Sequence, residues 1–310
     1  VIGVFMKNFS DTKDEFGECL WRDERKMAQK IAVMLEIPFE TIDYEKEYKK
    51  EVIEKMFNDY SKGLTPNPDV LCNTVIKFPA LWKRALELGA KYIATGHYAR
   101  VRKKGDRFEL LKGKDKKKDQ SYFLYDLTQQ DLSHTLFPIG DLTKEKVREI
   151  ARKNKFPNWD KKGTRGICFV GKVDMKEFLR KKIKERKGKI LSEEGKVVGT
   201  HYGANFFTIG ERIGESKGTV IDKEYKKKNP EKIYVAEKRK NNILVVAPEE
   251  HDLLKRKNIF VKDLHLLDSS EKVDGKKFSG RIRHLGELHS GRLKKVGGKW
   301  NFLFVFLMNH

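Results

Sequence analysis

The chain has 310 residues, too many for one ordinary core and enough for two or three domains. Lys and Arg number 67 against 45 Asp and Glu, a formal charge of +22 that favours polyanions, nucleic acid first among them, although a lysine-rich solvated surface gives the same sum. No apolar run reaches the roughly 18 residues of a membrane span, the N-terminus lacks the pattern of a secretory signal, and Cys19, Cys72 and Cys168 form no C-x-x-C pair, which argues against a zinc cluster or a secreted disulfide scaffold and for a reducing, cytoplasmic setting.

Residues 1–6, V-I-G-V-F-M, read as an interior strand. A helix is expected over 22–36, where Met27, Ile31, Met34 and Leu35 recur at helical spacing until Ile37-Pro38 stops it. A second strand over 39–43, a helix over 47–60 and another over 74–88 follow, the last closed by Gly89. The run K-Y-I-A-T-G-H-Y-A is a short strand ending at Thr95-Gly96-His97. Alternating strands and helices imply an α/β fold with a parallel sheet, whose ligands sit beyond the carboxyl ends of its strands, after Met6 and around Gly96.

The alternation over 100–111 around K-K-G-D predicts a hairpin that leads into the basic loop 112–119. Helices are expected over 143–154 and 174–187, the second with Asp174 as N-cap and Glu177 three residues on. After Gly188 short β-like runs predict a small β-rich domain, read as a barrel, and a further β-rich segment starts near Asn258. The final N-F-L-F-V-F-L-M-N-H is expected to be a strand with no partner after it, an exposed edge. The implied domains are 1–187, 188–250 and 251–310.

Three stretches carry chemistry. In T-P-N-P-D-V-L-C-N two prolines stiffen a loop holding Asn67, Pro68 and Asp69 ahead of Cys72, and a helix starting near Asn73 would lower the thiol's pKa; the plain alternative is a small buried residue. Cys168 lies in K-K-G-T-R-G-I-C-F-V-G, where glycines allow movement and Lys161, Lys162 and Arg165 favour a thiolate, so the two thiols suit a pair that meets during turnover. Cys19, in F-G-E-C-L-W, has no such setting and reads as structural. The stretch K-G-K-D-K-K-K-D-Q-S-Y-F-L combines phosphate-neutralising lysines with Gln120, Tyr122 and Phe123, the makings of a nucleic-acid contact or of a solvated loop before an apolar strand.

Together, G-V-F-M-K-N-F, T-P-N-P-D-V-L-C-N-T-V-I-K-F, L-G-A-K-Y-I-A-T-G-H-Y-A-R, K-D-Q-S-Y-F-L, L-F-P-I-G-D-L-T-K, G-I-C-F-V-G and F-F-T-I-G-E-R-I-G resemble, in order, the tRNA-specific 2-thiouridylase family of the PP-loop ATP-pyrophosphatase superfamily. That resemblance implies a PP-loop domain followed by two small barrel-like domains. It also implies an enzyme that uses ATP, with Mg2+, to adenylate the C2 oxygen of the wobble uridine and then replaces that oxygen with sulfur from a cysteine persulfide. Carried onto this chain, Cys168 holds the persulfide, Cys72 forms a disulfide with it to release the sulfur, and Asp69 is the acid/base group. Met6 and Gly96 match positions that touch ATP; Asn67, Pro68, Asp69, His97, Lys118, Asp119, Gln120, Arg283 and His284 match positions at the tRNA. The partners implied are tRNA and a sulfur-carrier or cysteine desulfurase protein, with the chain a monomer.

Three departures stand out. The family usually has Arg-Tyr where Arg283-His284 stands, and small polar residues where Thr164-Arg165 precedes G-I-C. The superfamily's S-G-G-x-D-S phosphate loop does not occur, so the expectation is a fragment truncated at both ends whose own turnover is in question. Two rival readings are a PP-loop ligase acting on a small metabolite and a tRNA-binding protein without catalysis.

Overall fold

The structure, a computed structural model, describes residues 1–10, 20–161, 174–214 and 218–309. Strand Gly3–Lys7 pairs in parallel with Phe39–Asp43, Gly3 opposite Phe39 and Lys7 opposite Asp43, with helix Leu20–Met34 between them in sequence. A second parallel pair joins Ile93–Ala94 to Thr135–Leu136. The parallel α/β reading holds, with the described strands in two short pairs. The expected hairpin is Ala99–Lys104 with Arg107–Lys112, turned at Gly105, whose φ of 59° suits glycine.

Helix Pro68–Cys72 runs through a π-helical turn, Asn73–Lys77, into Phe78–Glu87. The expected start near Asn73 is therefore corrected to Pro68. Asn67 is extended, its side-chain oxygen accepts from Val70 N, and Pro68 fills the first helical position, where its missing N–H costs nothing. Gly89, at φ 71°, ends the helix as expected. Helix Met175–Arg180 stops earlier than the sequence suggests: Asp174 caps Lys176 N and Glu177 N, but beyond Arg180 the like charges Lys181, Lys184 and Lys187 stand three residues apart, a spacing that disfavours continuing the helix.

The central segment is β-rich, as expected. Its strands form an open five-stranded sheet in the order Ile233–Arg239, Ile243–Pro248, Gly188–Leu191, Val197–His201, Thr219–Ile221, with no closed barrel among the described residues. The outer edge of Ile233–Arg239 is taken instead by the backbone at 210–213: Gly210 N donates to Val235 O at 2.8 Å, Val235 N to Glu211 O at 3.0 Å and Ile213 N to Ile233 O at 3.0 Å. The C-terminal sheet is antiparallel, and Lys299–Asn309 lies inside it, between Lys255–Val261 and His289–Val296. The expected unpaired last strand is thus paired on both sides.

One apolar cluster spans residue 187: Met6, Tyr48, Met56, Cys72 and Ile76 pack with Phe178, Ile190, Phe207 and Val246. The helices of the first segment and the central sheet therefore share one core. A second cluster, Phe78, Ala99, Leu124, Leu132 and Phe137, sits under the hairpin and takes in Leu267 from the C-terminal segment.

Candidate nucleotide and RNA site

The Asn67–Cys72 turn, the segment 119–123 and the C-terminal segment 281–284 meet at one place. Tyr122 donates its hydroxyl to Ile282 O at 2.9 Å, and the nearby Asn67 side chain offsets part of the rise that burial gives its phenol pKa. The His284 ring lies 4.4 Å from that of Phe123 and 6.0 Å from that of Tyr122. Burial lowers the His284 pKa, with Arg281 adding to the effect while Asp119 and Asp69 oppose it, so Asp69 acts on this ring across the gap. Nδ1 of His284 is buried without a partner among the described residues. Arg283, next to it, is exposed.

Asp119 faces inward. It is 2% exposed and accepts from Gly113 N at 3.0 Å, Ser121 N at 3.2 Å, Ser121 Oγ at 3.1 Å and Arg281 Nη1 at 3.3 Å. Its carboxylate organises the basic loop and ties the C-terminal segment to it. Gln120 is tied in as well, accepting from Tyr98 N at 3.0 Å and donating its own N–H to Tyr98 O at 2.9 Å. Lys118, by contrast, is exposed, free to reach a phosphate from a loop that Asp119 holds still.

Cys72 differs from the sequence expectation. It lies one turn into the helix rather than ahead of it, is fully buried, and burial pushes its thiol up to about 11, with Lys77 opposing and Asp69 adding to the rise. The helix-terminus argument for a thiolate fails, because only the first turn presents unpaired N–H groups. Asp69, in that first turn, is half-buried. Cys168, with Thr164 and Arg165, lies outside the described residues, as does Cys19, so the proposed Cys72–Cys168 disulfide and the setting of the persulfide cysteine do too.

His97 is buried against Phe78, 5.9 Å away and stacked, and Phe137, 6.1 Å away and edge-on. Its Nδ1 is 2.8 Å from Thr95 Oγ1, its Nε2 3.5 Å from Lys77 Nζ, and burial with the nearby Lys77 charge brings its pKa down to about 3. It is a neutral ring. Lys77 Nζ donates to Asn73 Oδ1 at 2.8 Å, and Asn73 Nδ2 donates to Phe123 O at 2.9 Å, a polar chain linking His97 to the Phe123–His284 contact. Lys77, Asn73 and Arg281 are site residues the sequence reading passed over; R-I-R-H carried Arg281 two positions from Arg283, while nothing local marked the other two.

Met6 is buried at the carboxyl end of Gly3–Lys7, and Gly96 lies just past Ile93–Ala94, exposed, with open space where a side chain would stand. Both sit where parallel strands receive ligands. Beside Met6, Asn8 is 1% exposed and neither end of its amide has a partner among the described residues.

Residues 1–172 match the family described as tRNA methyl transferase HUP domain, and residues 176–248 match the tRNA methyl transferase PRC-barrel domain. The chain is 41% identical over 287 residues to the tRNA-specific 2-thiouridylase MnmA of Nitrosomonas europaea, covering 92% of this chain and 77% of that one. It is 46% identical over 248 residues to tRNA-specific 2-thiouridylase MnmA 1 of Geobacillus kaustophilus, covering 80% of this chain and 65% of that one. It is 38% identical over 345 residues to the MnmA protein of Christiangramia forsetii, covering 96% of this chain and 84% of that one. With its motifs in order and this identity running across both matched domains, the chain belongs to the tRNA-specific 2-thiouridylase family.

Proposed function

We propose that this protein converts a tRNA uridine to 2-thiouridine with ATP. The observation that carries the reading is the meeting of Asn67, Asp69, Tyr122, Phe123 and His284 from three distant segments, in a chain related to tRNA-specific 2-thiouridylases. Aromatic rings and an extended amide-bearing turn suit an unstacked base, and lysines such as Lys118 suit its phosphates. ATP is proposed at the carboxyl ends of the parallel strands, against Met6 and Gly96; the open backbone at Gly96 and the unmatched amide of Asn8 fit a purine nucleotide. Among the described residues no group of three His, Cys, Asp or Glu side chains could hold a metal, so Mg2+ would arrive on the ATP phosphates.

The proposed chemistry runs in two stages. The uridine C2 oxygen attacks the α-phosphorus of ATP and pyrophosphate leaves. The terminal sulfur of a Cys168 persulfide then attacks C2 and AMP leaves with the oxygen. Cys72, deprotonated, attacks Cys168 Sγ; the S–S bond breaks, its electron pair stays on the sulfur at C2, and the two cysteines are left oxidised as a disulfide. Because the Cys72 thiol sits at about 11, it needs a base at hand, and Asp69, three residues before it, is the proposed proton acceptor. A sulfur-carrier or cysteine desulfurase protein would supply the persulfide and a dithiol reductant would reset the disulfide. The proposed setting is a cytoplasmic monomer; no helix of the described residues is long and apolar enough to cross a membrane.

The test is mass spectrometry of tRNA nucleosides after incubation with ATP, a persulfide donor and a dithiol. Replacement of oxygen by sulfur supports the reading; an added methyl group, an adenylated small metabolite or unmodified tRNA sinks it. Cys72→Ser and Cys168→Ser should each abolish thiolation while tRNA binding persists.

A further inference from the structure

A cleft of about 510 Å³ opens between the end of helix Lys55–Ser61, the turn at 203–206 and the hairpin turn at 239–242. Its walls carry Lys62, Lys184, Arg186, Lys238, Arg239 and Lys240 and no carboxylate. Arg239 pairs with Glu237 at 2.7 Å, just outside the wall. Among the described residues no ion pair engages Lys62, Lys184, Arg186 or Lys240.

The frame of the cleft is fixed by hydrogen bonds rather than left to loose side chains. Lys238 Nζ donates to Gly63 O at 2.9 Å and Asn205 Nδ2 to Ser61 O at 3.1 Å, joining the helix end to the central sheet. Asn242 accepts from Ala204 N at 2.8 Å and donates to Arg186 O at 2.7 Å. Gly63, Asn241 and Asn242 hold φ of 78°, 62° and 60°, which shapes both rims. Crowding like charges into a concavity costs free energy that a bound anion would return.

Position selects the anion. Gly63 leads through 64–66 into Asn67, and four residues span at most about 14 Å, so the cleft lies beside the turn proposed to hold the target base. Thr65 Oγ1 lies 3.2 Å from Thr208 Oγ1, keeping that connection against the central sheet. A protein partner would be expected to meet an apolar, aromatic patch. Here the one aromatic wall residue, Phe206, is buried.

We propose that this cleft binds the phosphate backbone of the tRNA next to the nucleotide being modified, an inference that rests on the tRNA reading above. Phosphate contacts fix register without reading sequence, so the cleft would position the strand while the Asn67 turn engages the base. The test is the triple variant Lys62→Gln, Lys184→Gln, Lys240→Gln of the whole chain, compared with Lys30→Gln, Lys46→Gln, Lys49→Gln, whose residues do not line the cleft. Binding to a transcribed tRNA with uridine at the wobble position is measured without ATP over a salt series. The cleft variant should weaken binding about tenfold or more and flatten the log–log salt slope by about 2, as expected for three lost single-strand contacts. An unchanged slope, or an equal loss in the comparison variant, overturns the proposal. Unchanged tRNA binding with slower sulfur delivery from the donor protein overturns it in favour of a protein partner. Cleft-dependent binding by a wild-type chain that thiolates nothing would leave the cleft standing and remove the enzymatic reading.

Discussion

The His284 ring packs on Phe123 at a centroid distance of 4.4 Å and an angle of 39°, so the C-terminal segment supplies one wall of the site that the first segment begins. Nearby, Tyr122 reaches Ile282 O across 160 positions of sequence. Replacing His284 with Ala should weaken tRNA binding about tenfold, whereas Phe, which keeps the ring, should stay within about threefold of wild type. Equal losses for Ala and Phe in a filter-binding assay would mean that the imidazole nitrogens, not the ring face, matter.

Asp119 and Arg281, 3.3 Å apart and 162 positions apart in sequence, hold the same junction. Asp119→Ala leaves two backbone N–H groups, the Ser121 hydroxyl and the Arg281 guanidinium without their acceptor, and should cost about 2–4 kcal/mol in urea denaturation. Asn should cost less. A loss under about 0.5 kcal/mol would show that water replaces the carboxylate freely.

Cys72 should behave as a protonated thiol at neutral pH. Its alkylation by iodoacetamide, followed on the peptide that carries it, should be more than about a hundredfold slower at pH 7.5 than that of an ordinary exposed cysteine. The rate should climb until pH approaches about 11. A plateau near pH 8 would contradict the buried setting.

His97 has its pKa brought down to about 3 from 6.5, the sign of a group kept neutral in the folded state. Below pH 6.5 the unfolded chain takes up a proton that the folded chain refuses, so this stability contribution is intact at pH 7 and falls as the pH drops towards 3. Between pH 7 and 5 the loss should be on the order of 2 kcal/mol, and His97→Gln should flatten that part of the profile. An identical pH slope in wild type and variant would assign the acid sensitivity to other groups.

Asp69→Asn should lower single-turnover thiolation by about 10²–10⁴ while tRNA affinity stays within about threefold. A parallel loss of affinity and rate would instead make Asp69 a binding residue.

Much of the outline was legible because its causes are local. Gly105 between alternating runs placed the hairpin, Gly89 ended its helix, and Pro38 followed the end of Leu20–Met34. The start of the helix at Pro68 was also written locally, in an Asn N-cap before a proline, yet the same residues read equally well as a stiff loop. The central segment matches a PRC-barrel family, yet its described strands form an open sheet, because short β runs announce strands but not whether their edges meet.

The order of motifs and the sign of the charge were determined by sequence alone: which family this chain joins, which residue types stand at Asn67, Asp69 and Cys72, and why a polyanion is favoured. Tertiary structure decided their states. Cys72 is buried in an apolar cluster whose other members, Tyr48 and Phe178 among them, come mostly from distant segments, and that desolvation raises a thiol which its neighbours in sequence suggested lowering. Asp119, held inward by Gly113 and Ser121, gains Arg281 from 162 positions away, and six cations frame one cleft because a helix end and a hairpin turn meet there. Local pattern sets backbone and composition, but burial and charge proximity depend on distance in space, and only the packed chain fixes that distance.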